Sequence, residues 1–144
     1  MKMNRFALRI LLVAGIGIGI AFAADIPRSP APKDVVLYFI SPQDGETVTG
    51  PVTVRFGLRG MGIAPAGVAM ENTGHHHLLI DTAPPTLNLP VPADEKHVHF
   101  GKGQTEAVVK LAPGRHTLQL LLADHLHFPH DPPVMSKPIT VIVR

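Results

Sequence analysis

The chain has 144 residues and a formal net charge of +2, from 13 Lys and Arg against 11 Asp and Glu. It contains 15 prolines, nine histidines and no cysteine. Disulfides, thiolate chemistry and a cysteine-linked lipid anchor are therefore excluded, and stability must come from packing.

In chain order, residues 1–23 have the three parts of a secretory signal peptide. Lys2, Arg5 and Arg9 give a positive start, Ile10 to Ile20 an uncharged run, and Ala21-Phe22-Ala23 a small-x-small site with cleavage expected before Ala24. The apolar run is short for a membrane span, which needs about 20 residues. The three basic residues leave with this segment and every acid stays, so the mature chain carries 10 basic against 11 acidic residues, a net charge of −1. That balance points to neither nucleic acid nor an anionic membrane as partner. The expected location is the periplasm or the exterior. Residues 24–34 hold three prolines and no apolar period, and read as an extended tether.

Short runs rich in β-branched and aliphatic residues follow at 35–40, 52–58, 75–81, 97–100, 106–111, 116–122 and 139–143. Pro and Gly punctuation separates them, as at Ser41-Pro42-Gln43-Asp44-Gly45, Gly101-Lys102-Gly103 and Pro113-Gly114. No stretch of the mature chain sustains a 3.6-residue period. These features predict an all-β domain over 35–144, an antiparallel immunoglobulin-like β-sandwich of about seven strands. Residues 123–138 read as a proline-stiffened loop.

That topology makes a geometric statement about the histidines. The 59–74 connection, the turn near Gly101 and the 123–138 loop should all lie at one end of the sandwich. His75, His76, His77, His97, His99, His125, His127 and His130 would then converge on one rim, leaving His116 at the far end. His116 follows Pro113-Gly114-Arg115, where sandwiches place a corner-stabilising side chain, and is expected to be structural. His-x-His on a strand puts both rings on one face, and the spacing occurs at His75/His77, His97/His99 and His125/His127. Neutral imidazole is the commonest protein ligand for transition metals. The expected ligands are His75, His77, His99, His127 and His130 with the carboxylate of Asp124, and His76 is the one of its run that could turn inward. Met61, Met70 and Met135 should lie on the same rim, and thioether suits copper(I). Metal affinity should fall below about pH 6.5, where an ordinary histidine protonates.

The motifs Gly-His-His-His-Leu-Leu-Ile-Asp (74–81), His-Phe-Gly-Lys-Gly-Gln-Thr-Glu (99–106), Leu-Ala-Pro-Gly-Arg-His-Thr-Leu-Gln-Leu (111–120) and Asp-His-x-His-x-Pro-His-x-Pro-Pro-Val-x-Ser (124–136) resemble those of a family of small exported bacterial proteins, a domain of unknown function. The resemblance runs from about Ser41 to Arg144. It implies export and a single domain, with His75, His76, His77, His99, Gln104, Thr105, Glu106, His116, Asp124, His127 and His130 as its characteristic polar positions. At the level of fold the chain also resembles periplasmic copper-handling sandwiches, whose sites use loop His and Met. The cupredoxin electron carriers need a cysteine that is absent here.

The reading that follows is an exported metal-binding protein, for copper first and zinc second, acting as carrier, buffer or sensor with a possible periplasmic protein partner. The alternative is an immunoglobulin-like interaction module whose histidine rim meets a protein or glycan without an ion. No Gly-x-Ser-x-Gly, paired catalytic carboxylates or phosphate-binding loop supports an enzyme.

Overall fold

A computed structural model describes residues 27–144; the expected signal peptide and its cleavage site lie outside the described residues. Ten strands form among the described residues: β1 (Val36–Ser41), β2 (Glu46–Val48), β3 (Val52–Arg59), β4 (Gly62–Ile63), β5 (Thr73–Ile80), β6 (His97–His99), β7 (Glu106–Val109), β8 (Gly114–Ala123), β9 (Pro129–Met135) and β10 (Ile139–Val143). Among the described residues there is no helix, and so none long and apolar enough to cross a membrane.

One sheet has the order β1-β3-β7; the other runs β2-β10-β8-β5-β4, with β6 also on β5 and β9 also on β8. Most pairings are antiparallel, but β2 runs parallel to β10 and β4 parallel to β5, so the larger sheet is mixed. The sheets face each other across one core. Leu37, Val52, Val54 and Phe56 come from the first sheet, and Leu78, Ile80, Leu118, Leu120, Leu122, Val141 and Val143 from the second. The period of two produces this division: alternate residues of each strand point inward, and their apolar character selects the face that is buried. β8 is also covered on its other face, where Leu121 and Ala123 pack with Val91 and Met135. Burial on both faces accounts for its unbroken Leu120-Leu121-Leu122 run.

All seven expected strands form, and three more join them. β9 lies inside the stretch expected to be a loop. Its prolines hid it, since proline cannot donate to a ladder. The structure places Pro132 and Pro133 in an irregular stretch of the β8 pairing, between Ala123↔Pro129 and Leu122↔Val134, where no donor is needed. The expected tether also has a fixed end: the Ala31 amide donates to the Asp131 carbonyl and the Asp131 amide to the Ser29 carbonyl, both at 2.9 Å.

His116, on β8, sits away from the other histidines and is held at both nitrogens. Nδ1 donates to Asp81 Oδ2 at 2.7 Å and Nε2 to the Ala112 carbonyl at 2.8 Å. Asp81 Oδ1 also accepts the Thr117 amide at 2.7 Å. Two acceptors require two N–H groups, which is the charged ring, and the Asp81 hydrogen bond raises its pKa above the ordinary value. His116→Ala should lower the melting temperature by several degrees and leave metal stoichiometry unchanged. Calorimetry beside a copper titration checks this, and lost metal with unchanged stability would reverse the assignment.

Candidate metal centre

The run His75-His76-His77 is divided by strand parity. His76 points inward beside Leu78 and Ile80, its ring centroid 4.8 Å from that of Phe56. His75 and His77 point to the outer face and are 0% and 1% exposed. The antiparallel register sets His99 of β6 directly across from His77, and small Ala123 of β8 across from His75. The fourth ring, His127, descends from the turn between β8 and β9.

These four rings form one cluster. Centroid separations are 4.9 Å (His75–His77), 5.0 Å (His75–His99), 4.9 Å (His75–His127), 5.1 Å (His77–His99), 6.1 Å (His77–His127) and 4.8 Å (His99–His127). Four imidazoles bound tetrahedrally at about 2 Å would have ring centres about 5 Å apart. His75, His77 and His99 each bring a ligand atom within 4.8 Å of the others; His127 is outside that trio and joins it by ring centroid.

The electrostatics favour neutral, lone-pair-bearing rings. Burial, then the neighbouring His127 and His99, lowers the His75 pKa to about 4 against a small opposing pull from Asp124. Burial, then His75, His99 and His127, lowers that of His77 to about 2. His99 is lowered by burial and by His127. Protons therefore compete with a metal at His75 and His77 only well below the ordinary histidine range. At these two ligands the competition moves from near pH 6.5 to lower pH. Both nitrogens of His75 and Nδ1 of His77 are buried without a hydrogen-bond partner, a costly arrangement unless a ligand completes it. The His76 nitrogens are also unpartnered, but that ring packs against Phe56 in the core.

Two backbone features hold the rings in place. His127 has φ of 70°, a left-handed conformation that a non-glycine residue keeps only where its surroundings enforce it. The Val91 amide donates to its carbonyl at 2.8 Å, and its own amide donates to the Asp124 carbonyl at 2.9 Å. Gly101 makes room for His99: a Cβ there would stand 2.2 Å from the ring's Cε1 and 2.5 Å from Nε2. Gly101→Ala should displace His99 and weaken copper binding about tenfold or more, with little change in melting temperature because β6 lies at the sheet edge. Wild-type affinity in this variant would remove His99 from the ligand set.

Several expected members lie elsewhere. His130 is buried apart from the cluster, its ring nitrogens 3.4 Å from the Leu122 carbonyl and 3.2 Å from that of Thr73. Asp124 is committed to the turn: Oδ2 accepts the Ser29 hydroxyl at 2.6 Å, and Oδ1 accepts the Leu126 and Phe128 amides at 2.9 and 3.0 Å. Burial raises its pKa, but those bonds and the nearby His125 outweigh it and hold the carboxyl below its ordinary value. His97 is bound to Asp94 at 2.8 Å. Of the methionines, Met61 packs on the main core, Met135 beside Leu121, and Met70 is exposed. The expected rim is thus an outer-face cluster on β5, β6 and one turn. Sequence reasoning missed Gly101, whose absent side chain is legible only once the His99 ring is placed, and Ser29, whose partner is 95 residues away.

The family model described as Domain of unknown function (DUF4399) matches residues 54–144. Among solved structures the chain is similar to fibronectin(III)-like modules of Clostridium thermocellum CbhA, at 12% identity and a TM-score of 0.40, covering 75% of this chain and 93% of that one. No curated protein matches the chain.

Proposed function

We propose that this chain, which belongs to the DUF4399 family, is an exported, immunoglobulin-like metal-binding protein. It holds copper, with zinc the alternative, as carrier, buffer or sensor in the periplasm or outside the cell. The observation that carries the reading is the cluster of His75, His77, His99 and His127, in which His75 and His77 are buried with three unpartnered ring nitrogens between them and His99 opens to solvent. An all-nitrogen set fits copper(II) and zinc(II). Among divalent ions copper(II) binds such sets most tightly. The clustered donors are imidazole nitrogens, which favours copper(II) over copper(I). Burial keeps His75 and His77 neutral, so these two ligands are ready without first losing protons.

The test is elemental analysis of protein purified without a histidine tag, then titration with copper and zinc. The expected result is one ion per chain, a raised melting temperature, and a copper(II) spectrum showing at least three nitrogen ligands. Failure to bind either ion at micromolar concentration would sink the reading.

An interaction module need not use the histidine rim expected for it, since another face is also open. Val36, Tyr38 and Ile40 on β1 are exposed, as is Val108 on β7, and β1 is an edge strand. A module using that face would keep its partner when the histidines are replaced and lose it on Tyr38→Ser.

A further inference from the structure

The residues just before β1 are tied to the opposite end of the sequence. Arg28 Nε donates to the Pro129 carbonyl at 2.9 Å, its Nη2 donates to the His130 carbonyl, and the guanidinium faces Asp131 at 3.6 Å. Pro30 pairs with Asp131 as a parallel bridge. This strap presents the Ser29 hydroxyl to Asp124 Oδ2. The other oxygen of the same carboxylate organises the turn by accepting the amides on either side of His127. The Asp124 amide closes the turn onto the Phe128 carbonyl at 2.9 Å.

We propose that the strap Arg28–Ala31 is a positioning element for the fourth ligand: Ser29 locks the Asp124 carboxylate, and Asp124 holds His127 over the other three rings. The inference rests on the metal-site reading given above. The physical reasoning starts from His127, whose left-handed backbone is unfavourable for a side chain with a Cβ. Its neighbours' amides must be held for that conformation to persist. A carboxylate held at one oxygen by a hydroxyl presents its second oxygen in a fixed direction, so two short amide bonds can form at once. Without the hydroxyl the carboxylate rotates and the amides lose their acceptor. His127 can then return to ordinary backbone angles and leave the cluster. His75, His77 and His99 are carried on paired strands and do not depend on the strap. Loss of the strap contact should therefore convert a four-imidazole site into a three-imidazole site.

The experiment compares the mature wild-type chain with Ser29→Ala and Ser29→Thr. Copper(II) paramagnetic resonance should count four imidazoles in the wild type and three in Ser29→Ala. Affinity should fall about tenfold, as is usual when a group supporting a ligand is removed, and Ser29→Thr should restore both. In metal-free protein, amide hydrogen exchange at Leu126 and Phe128 should quicken in Ser29→Ala only. A lower melting temperature with four imidazoles retained would overturn the proposal, as would unchanged exchange at those amides. A wild-type chain that binds neither copper nor zinc would sink the metal reading and, with it, any fourth ligand to position; faster exchange would then support only the strap's hold on the turn.

Discussion

Replacing His75 with leucine should raise the melting temperature of the metal-free protein while abolishing metal binding. Its side chain is fully buried and both ring nitrogens lack a partner. Each unsatisfied buried polar atom costs about 1–3 kcal/mol, and leucine removes that cost while filling similar space. In a domain of this size each kcal/mol moves the melting temperature by about 4 °C, so a gain of several degrees is expected. Loss of a central ligand should weaken copper binding by more than about 100-fold. Opposite signs are expected because, in the proposed site, His75 would serve the ion at the expense of the fold. A fall in melting temperature with binding retained would show that the imidazole is structural.

Acid should unfold the metal-free protein in a range where most small domains are stable. His75 and His76 have pKa values lowered to about 4 and His77 to about 2, burial being the first cause in each. In the unfolded chain all three take up protons near pH 6.5. The unfolded state therefore binds more protons than the folded state below pH 6.5, and stability falls as pH drops. The loss is about 1.4 kcal/mol per pH unit for each proton. It continues to about pH 4 for His75 and His76 and further for His77. Below the ordinary carboxyl range Asp81 and Asp124, whose pKa values are lowered in the fold, add their own loss. His116 acts in the other direction. Its raised value stabilises the fold fully below pH 6.5, and that contribution disappears as pH rises through the folded value. The melting temperature should therefore peak near neutrality and fall steeply towards pH 5. Bound copper or zinc should shift the acid limb to lower pH, because the ion replaces the protons the rings would otherwise take. A melting temperature unchanged from pH 7 to 5 in metal-free protein would contradict the burial of these rings.

Local pattern carried much of this architecture. Alternation and turn residues located β1, β3, β5, β6, β7, β8 and β10 to within two residues or so, because a strand's period and its punctuation are written in consecutive residues. The same parity put His75 with His77 and set His76 apart, and the Pro113-Gly114 corner marked His116 as structural. Parity alone could not say which set faces outward. Leu78 and Ile80 decide that by burying themselves opposite Val54 and Phe56, and this apolar burial carries His76 inward with them.

The rest depends on contacts between distant residues. His99 joins the site through its register opposite His77, and β9 forms because β8 offers an edge that tolerates prolines. Asp124 had a ligand's chemistry by sequence, yet hydrogen bonds to the turn and to Ser29 use both of its oxygens. His130 had a ligand's spacing, but its ring is buried against two backbone carbonyls. By itself the sequence determined which side chains could bind a metal and which neighbours share a strand face. Only the tertiary structure decided which of them meet, because register, facing and hydrogen-bond commitment are set by non-local packing that no short window of residues encodes.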